Sequence, residues 1–292
     1  MSELPAVAGL PAPGRTVVMG VVNVTPDSFS DGGDWFATSA AVQHGRDLIA
    51  QGADIVDIGG ESTRPGALRV DQDEELRRVI PVITELAAEP AVRDGRVAIS
   101  VDTMRSQVAG QAVAAGAKLI NDISGGQADQ AMIPTAAELG CAYVLMHWRG
   151  HSVDMQSRAH YTDVAAEVRD ELARQADQAM AAGISQDRLI LDPGFGFAKT
   201  GEHNWELLQH LDVITALGHP LLFGVSRKRF LGTLLAADDG TPRPAKDRDD
   251  ASATLTGWAA IHGVWGVRVH IVRPSRDAID VLTRLGRIPP QA

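Results

Sequence analysis

Cysteine is almost absent from this chain: Cys141 is the only one in 292 residues. A lone thiol cannot close an internal disulfide, which excludes a disulfide scaffold and fits a reducing, cytoplasmic setting. Long apolar runs are missing too. None approaches the ~18 residues of a membrane span, and Met1-Ser2-Glu3-Leu4-Pro5 lacks the basic region and apolar core of a signal peptide. Positive charge is in deficit, with 27 Lys+Arg against 37 Asp+Glu for a net −10, which excludes a general nucleic-acid binder. An anion bound here must be held by a local cluster rather than by the overall field. Two signatures are also missing. There is no Gly-x-Ser-x-Gly nucleophile elbow, and no Gly-x-Gly-x-x-Gly follows the first strand-like run.

What the chain does contain is a recurring unit in which a helix-like segment ends at glycine and a short apolar run follows. Gly52 leads into Ile55-Val56-Asp57-Ile58, Gly116 into Leu119-Ile120-Asn121-Asp122, and Gly140 into Ala142 to His147. Gly183, Gly218 and Gly263 precede the runs at 189–192, 221–225 and 267–270 in the same way. Glycine after a helix takes positive φ at low cost. Apolar runs without alternation suit parallel strands covered on both faces. With the runs at 17–22 and 97–101, the sequence predicts eight strands. Amphipathic segments between them predict helices at about 38–51, 71–88, 105–115, 129–139, 163–182, 203–217, 250–262 and 275–285. That is the count and size of an α/β protein of the (β/α)₈ TIM barrel type. The expectation is one domain over 1–292, with 1–14 as an N-terminal extension and 235–250 as a solvated surface loop. The alternative, an open doubly wound sheet, calls for the glycine-rich turn that is missing.

Barrel enzymes work at the C-terminal ends of their strands. Those ends here are Asn23, Asp57, Asp102, Asn121 and Asp122, His147, Asp192, Ser226 and Lys228, and Arg268 with His270. Asp57 and Asp122 have a plain alternative as helix caps, and His147 has one as a satisfied core histidine. Arg268, His270 and Lys228 are poor caps, so the ring as a whole reads as a cleft presenting carboxylates, amides and cations together. Arg268 and His270 are two apart on a strand and so face one side.

Seven segments carry a specific resemblance. They are Asn-Val-Thr-Pro-Asp-Ser-Phe-Ser-Asp-Gly-Gly (23–33), Gly-Gly-Glu-Ser-Thr-Arg-Pro-Gly (59–66), Ser-Val-Asp-Thr (100–103), Ile-Asn-Asp-Ile-Ser-Gly (120–125), Asp-Pro-Gly-Phe-Gly-Phe-Ala-Lys (192–199), Ser-Arg-Lys-Arg-Phe-Leu-Gly (226–232) and Arg-Val-His (268–270). In these motifs and their order the chain resembles dihydropteroate synthase. The resemblance implies a (β/α)₈ homodimer that joins 6-hydroxymethyl-7,8-dihydropterin diphosphate to 4-aminobenzoate and is inhibited by sulfonamides. It implies that Asp192 takes the guanidine-like edge of the pterin, with Asp102, Asn121 and Lys228 completing the ring's hydrogen bonds. Met146 and Ile123 would supply apolar walls, with ordinary core packing as their alternative. Arg268 and His270 would clamp the diphosphate, and Asn23 would offer Mg²⁺ an oxygen. Phe29, Thr63, Arg64, Pro65, Phe197 and Ser226 would surround 4-aminobenzoate.

One departure stands out, since the family commonly has Asp after Arg-Val-His and this chain has Ile271. Two rival readings remain. A pterin-dependent methyltransferase barrel would not need the loops at 23–33 and 59–66, and an inactive paralogue would be expected to have lost them or Lys228. All are intact.

Overall fold

The computed structural model describes residues 5–24, 33–61, 69–150 and 155–288. Eight parallel strands run in the order β6-β5-β4-β3-β2-β1-β8-β7: β1 Val17–Asn23, β2 Ile55–Gly59, β3 Ala98–Asp102, β4 Leu119–Asp122, β5 Ala142–Met146, β6 Leu189–Asp192, β7 Leu222–Phe223 and β8 Gly266–Val269. A Leu191–Leu221 bridge, with Leu191 N donating to Pro220 O at 2.9 Å, brings β6 to β7 and nearly closes the ring. The (β/α)₈ barrel read from the sequence is therefore present. β7 is shorter than the expected 221–225. Leu221 pairs only as an isolated bridge, and Gly224 and Val225 have already left the ladder.

Helices fill the crossovers: α1 Gly33–Ala50, α2 Gln72–Ala87, α3 Pro90–Arg93, α4 Ser106–Ala115, α5 Met132–Leu139, α6 Val164–Ala181, α7 Gly201–Gln209, α8 Leu211–Thr215, α9 Arg229–Leu234, α10 Asp249–Ile261 and α11 Val272–Arg284. The single helix expected at 203–217 breaks at His210, whose φ −114 and ψ 33 leave the helical region. The short α3 and α9 were not expected. Each is little more than one turn, too brief to show a period in sequence. Helix α11 starts at Val272 with Ile271 as its N-cap, which makes no side-chain cap bond. Among the described residues, no helix is long and apolar enough to cross a membrane.

Period-two alternation sorts the strand side chains into two cores. Val18, Val56, Ile58, Ile99, Val101, Ile120, Tyr143, Leu145, Leu191 and Val267 face the helices. Val17, Met19, Ile55, Ala98, Leu119, Val144, Ile190 and Leu222 fill the barrel. Residues 5–16 close its N-terminal mouth, with Val7 joining the interior core beside Leu10. Ala8 N donates to Asp187 O at 2.9 Å. Arg15 grips Asp54 bidentately at 2.7 and 2.8 Å, and Val18 N donates to the same carboxylate at 2.8 Å. Both partners are buried, so removing one strands a charge, at a cost of ~3–5 kcal/mol. Asp54→Ala is expected to lose stability on that scale in urea melts, and an unchanged midpoint would show that the mouth does not depend on this pair.

Candidate active site

At the C-terminal mouth the inward-facing row changes character. Above Ile55 comes Asp57, above Ala98 come Ser100 and Asp102, above Leu119 comes Asn121, above Val144 comes Met146, and above Ile190 comes Asp192. The alternation that packs the core thus also delivers a polar ring to one end of it. Arg268 Cα is level with Met19, which is itself paired with Ile55. Its long side chain rises from that apolar layer between two carboxylates. Nε donates to Asp57 Oδ2 at 2.7 Å and Nη2 to Asp102 Oδ2 at 2.7 Å. Asn121 Nδ2 also donates to Asp57 Oδ2, at 3.0 Å. Asp57 is fully buried, and its Oδ1 has no partner. Burial raises the Asp102 carboxyl to about 7, against the lowering pull of Arg268. For Arg268, burial opposes the charge, but Asp57 and Asp102 raise its pKa further above the ordinary value.

The turns after β6 and β7 complete the ring. Asp192 Oδ1 accepts from Gly194 N at 2.7 Å. Burial raises its pKa, against the nearby Lys228 and Lys199. Lys228 Nζ lies 4.0 Å from the centre of the Phe197 ring, and burial lowers its pKa to about 8. Gly196 takes φ +76, and a Cβ there would sit 2.8 Å from Lys228 Cδ, so only glycine lets the lysine pass. Ser226 Oγ lies 3.0 Å from His270 Nδ1 and accepts from His270 N at 3.2 Å. Ala198 (φ 47) and Arg227 (φ 60) are the non-glycine residues with positive φ among those described, and both lie in these two turns. Such backbone persists only where its surroundings hold it. Around Arg227 that hold is a bidentate pair with Asp249 at 2.6 and 2.8 Å, with Arg248 Nη1 donating to Arg227 O at 2.9 Å. Arg248 and Asp249, at the end of the otherwise exposed 235–250 stretch, therefore brace Ser226 and Lys228.

Of the sequence-predicted site residues, Asp102, Asn121, Asp192, Lys228, Arg268, His270, Ser226 and Phe197 lie on this mouth. Met146 and Ile123 form one buried apolar cluster with Met104, against which Phe197 and Trp148 pack. Asn23 is half-buried at the end of β1. Phe29, Thr63, Arg64 and Pro65 lie outside the described residues. Asp122 proves to be a turn residue, accepting from Ser124 N, Ser124 Oγ, Gly126 N and Tyr143 Oη. His147 is the satisfied core histidine, fully buried between Glu171 and Lys199. Asp57, read from the sequence as a strand-end residue with a helix cap as its alternative, joins the site as the partner of Arg268 and Asn121, whereas Met104 and Lys199 were given no role. The inward period of β2 pointed to Asp57. Nothing local pointed to the other two.

A barrel with carboxylates, amides and cations ringed around a small apolar wall suits a flat, polar heterocycle bearing an anion. A family profile described as "Pterin binding enzyme" matches residues 19–270, which sets the class. The dihydropteroate synthase of Mycobacterium leprae (strain TN) is 53% identical over 266 residues, 91% of this chain and 92% of that protein. The structure of Xanthomonas albilineans dihydropteroate synthase with 4-aminobenzoic acid superposes with a TM-score of 0.84 at 44% identity, covering 94% of each chain. A second structure of that organism's enzyme, in complex with 7,8-dihydropteroate, gives 0.83 at 40% identity over 99% of this chain and 100% of the other. The chain belongs to the dihydropteroate synthases within the pterin-binding enzymes.

The raised pKa of Asp102 makes a stability prediction. From an ordinary value near 3.8 it rises to about 7, so folding favours the protonated form. That contribution is fully present below the unfolded pKa and is lost as pH rises through the folded one. Asp102→Asn mimics the protonated state. It is expected to melt above the wild type at mildly alkaline pH, by roughly 1–4 kcal/mol at ~1.4 kcal/mol per pKa unit, and to converge with it in acid. A gap that widens in acid would refute this.

Proposed function

We propose that this chain joins 6-hydroxymethyl-7,8-dihydropterin diphosphate to 4-aminobenzoate, releasing diphosphate and forming 7,8-dihydropteroate, at the C-terminal mouth of the barrel. The observation that carries the reading is the convergence of Asp192, Asp102, Asn121, Lys228 and Arg268 on one mouth beside the Met104–Ile123–Met146 wall. A pterin edge offers parallel N–H donors that match a carboxylate, and buried Asp192 is placed to take them. Asn121 and Lys228 meet the remaining donors and acceptors of the ring. An analogue without those groups would leave buried polar atoms unpaired, so such a site discriminates strongly.

The substitution proceeds dissociatively. The bond between the exocyclic methylene and the diphosphate oxygen breaks, and its electron pair leaves with the diphosphate. The aryl amine then donates its lone pair to the methylene carbon and gives up a proton to water. No strong base is needed, since a neutral arylamine is already a nucleophile. Arg268 keeps Nε and Nη2 on its two carboxylates, and Nη1 is the nitrogen that meets the anion. His270 faces the same leaving group, and fixed cations at developing negative charge are an effective form of catalysis. Asp102, when ionised, places negative charge beside the cationic ring. Phe197 and Ser226 bound the 4-aminobenzoate side.

Mg²⁺ is the implied cofactor. Among the described residues, no group of three or more His, Cys, Asp or Glu could hold a metal. An ion here would take its ligands largely from diphosphate and water, and the Asn23 side-chain oxygen fits as its protein ligand. Bound there, Mg²⁺ supplies charge that stabilises the leaving diphosphate.

A homodimer in the cytoplasm is the expected setting. The groove of about 550 Å³ between α10 and α11, lined by Gly257, Trp258, Ile261, Ala278, Val281 and Leu282, is the surface proposed for a second copy. Val281 (59%) and Leu285 (65%) stand exposed on the same face. Val281→Asp is expected to sediment as a monomer, and an unchanged dimer would move the interface elsewhere.

The first test is diphosphate release from purified protein given both substrates, with and without Mg²⁺. Release that depends on 4-aminobenzoate, yields dihydropteroate and is inhibited by sulfonamides is expected. Asp192→Ala should abolish pterin binding. Pterin binding without turnover would favour an inactive paralogue, and no pterin binding would undo the reading.

A further inference from the structure

A buried lysine lies behind this site and has no part in the reaction just described. Lys199 is 3% exposed, and an ammonium carries three N–H donors. Three acceptors surround its Nζ: Gly194 O at 3.1 Å, Phe197 O at 3.3 Å and His147 Nδ1 at 3.1 Å. The charged form is therefore fully satisfied. His147 is set up as the third acceptor from its other side. Its Nε2 lies 2.9 Å from Glu171 Oε2, and Arg149 donates to the same carboxylate. Burial raises the Glu171 pKa, but the hydrogen bonds from His147 and Arg149 hold it down at about 2. Burial pushes His147 down to about 4. An ionised Glu171 beside a neutral imidazole places the proton on Nε2 and leaves Nδ1 to accept.

The two carbonyls that Lys199 holds belong to the turn that presents site residues. Gly194 also donates its N–H to Asp192 Oδ1, and Phe197 carries the ring beneath Lys228. The turn is under strain: Ala198 has φ 47, and Gly194, at φ +69, has no room for a Cβ against the His147 carbonyl. A strained turn that must hold two side chains in register needs an external tie. We propose that Lys199 is a positioning residue for this reaction: its three hydrogen bonds, completed by His147, fix the Asp192–Lys199 turn so that Asp192 meets the pterin and Phe197 meets the aminobenzoate.

The tie also responds to pH. Lys199 faces Asp192 and Lys228 across the turn, His147 and Arg149 after β5, Glu171 on α6, and the Tyr161 ring at 6.0 Å. Burial lowers its pKa to about 7, against the raising pull of Asp192. Below that pH all three donors are present. Above it the neutral amine loses a donor and its charge, and the turn loosens.

The inference rests on the synthase reading, and the test separates the two. Lys199→Met, His147→Leu and His147→Asn would be compared with the wild type in thermal melts, pterin affinity, and kcat and KM for each substrate, on both sides of neutrality. Lys199→Met is expected to fold and to lose up to ~10²-fold in kcat/KM, mainly through KM. The ratio of wild type to variant should shrink toward one as pH rises through about 7, the midpoint of Lys199. Asp102 titrates in both proteins and cancels from this ratio. His147→Leu should reproduce the defect, whereas His147→Asn, which keeps an oxygen near the Nδ1 position, should retain most activity. Wild-type kinetics in Lys199→Met, or an equal loss at every pH, would overturn the proposal. If Lys199→Met fails to fold, the two His147 variants decide, and equal behaviour overturns it. A wild type that makes no dihydropteroate would instead sink the synthase reading.

Discussion

The guanidinium of Arg268 between Asp57 and Asp102 is the interaction on which the mouth of this barrel depends. Two carboxylates facing each other in a water-poor interior repel, and each loses hydration that costs several kcal/mol. One planar cation that bonds both of them makes the arrangement tenable, and Asn121 adds a further donor to Asp57. The compensation is incomplete. Asp57 Oδ1 and Ser100 Oγ have no partner, and Asp102 is held near neutrality. A core optimised for stability alone would bury apolar groups at these positions. The barrel instead holds charge where a polar ligand can complete its bonding, which is the usual conflict between stability and function at active sites.

The same logic extends around the rim. Asp192 faces Lys228 and Lys199, and all three shift toward their neutral forms under burial. The chain as a whole is acidic, so an anion bound at the mouth depends on the local cations Lys228 and Arg268 and not on the overall field. Lys228 lies in the turn after β7 and Arg268 on the neighbouring β8, although β7 and β8 are separated in sequence by a long excursion. Residues 237–247 of that excursion are solvent-exposed. Arg248 and Asp249, which follow that stretch, grip the Ser226–Lys228 turn, so a surface segment leads into a support for the site.

Much of the fold was legible because a closed parallel barrel repeats one local rule eight times. Each strand is short and apolar, the last helix before a strand ends at glycine, and these signals lie within a few residues of one another. Short elements escaped that reading, as α9 and the truncated β7 show, since one turn of helix or two residues of strand carry no period. The site was legible as a set of residue types at strand ends, sharpened by resemblance to a family. Its wiring was not. Asp57 stands mid-strand, one inward step below Gly59, and it becomes a partner of Arg268 only through the register that sets Arg268 level with Met19. His147 and Glu171 stand 24 residues apart in the β5–β6 connection and Lys199 lies in the next one, so no short window of sequence contains their relation. The Asp122 carboxylate resembled a site residue by position, yet Tyr143 and the Ser124–Gly126 turn consume its bonding capacity.

These features share a physical cause in the pleat. An inward-facing row must be apolar in its lower layers to fill the barrel, and in its top layer it can be polar because the mouth meets solvent and ligand. A long side chain anchored in the apolar layer, as Arg268 is, reaches the polar layer with its stem packed and its head fixed. Positional accuracy at the site therefore comes from the packed interior, while the chemistry comes from the last residue or two of each strand and the turns that follow. The turns need separate ties because they leave the ladder, and the structure supplies them from behind: Asp249 and Arg248 for one, Lys199 with His147 for the other. Substrate groups then meet a rim whose strands are held by the sheet and whose turns are held by buried charge. Strands and turns held in this way leave less of the binding energy to be spent on ordering them.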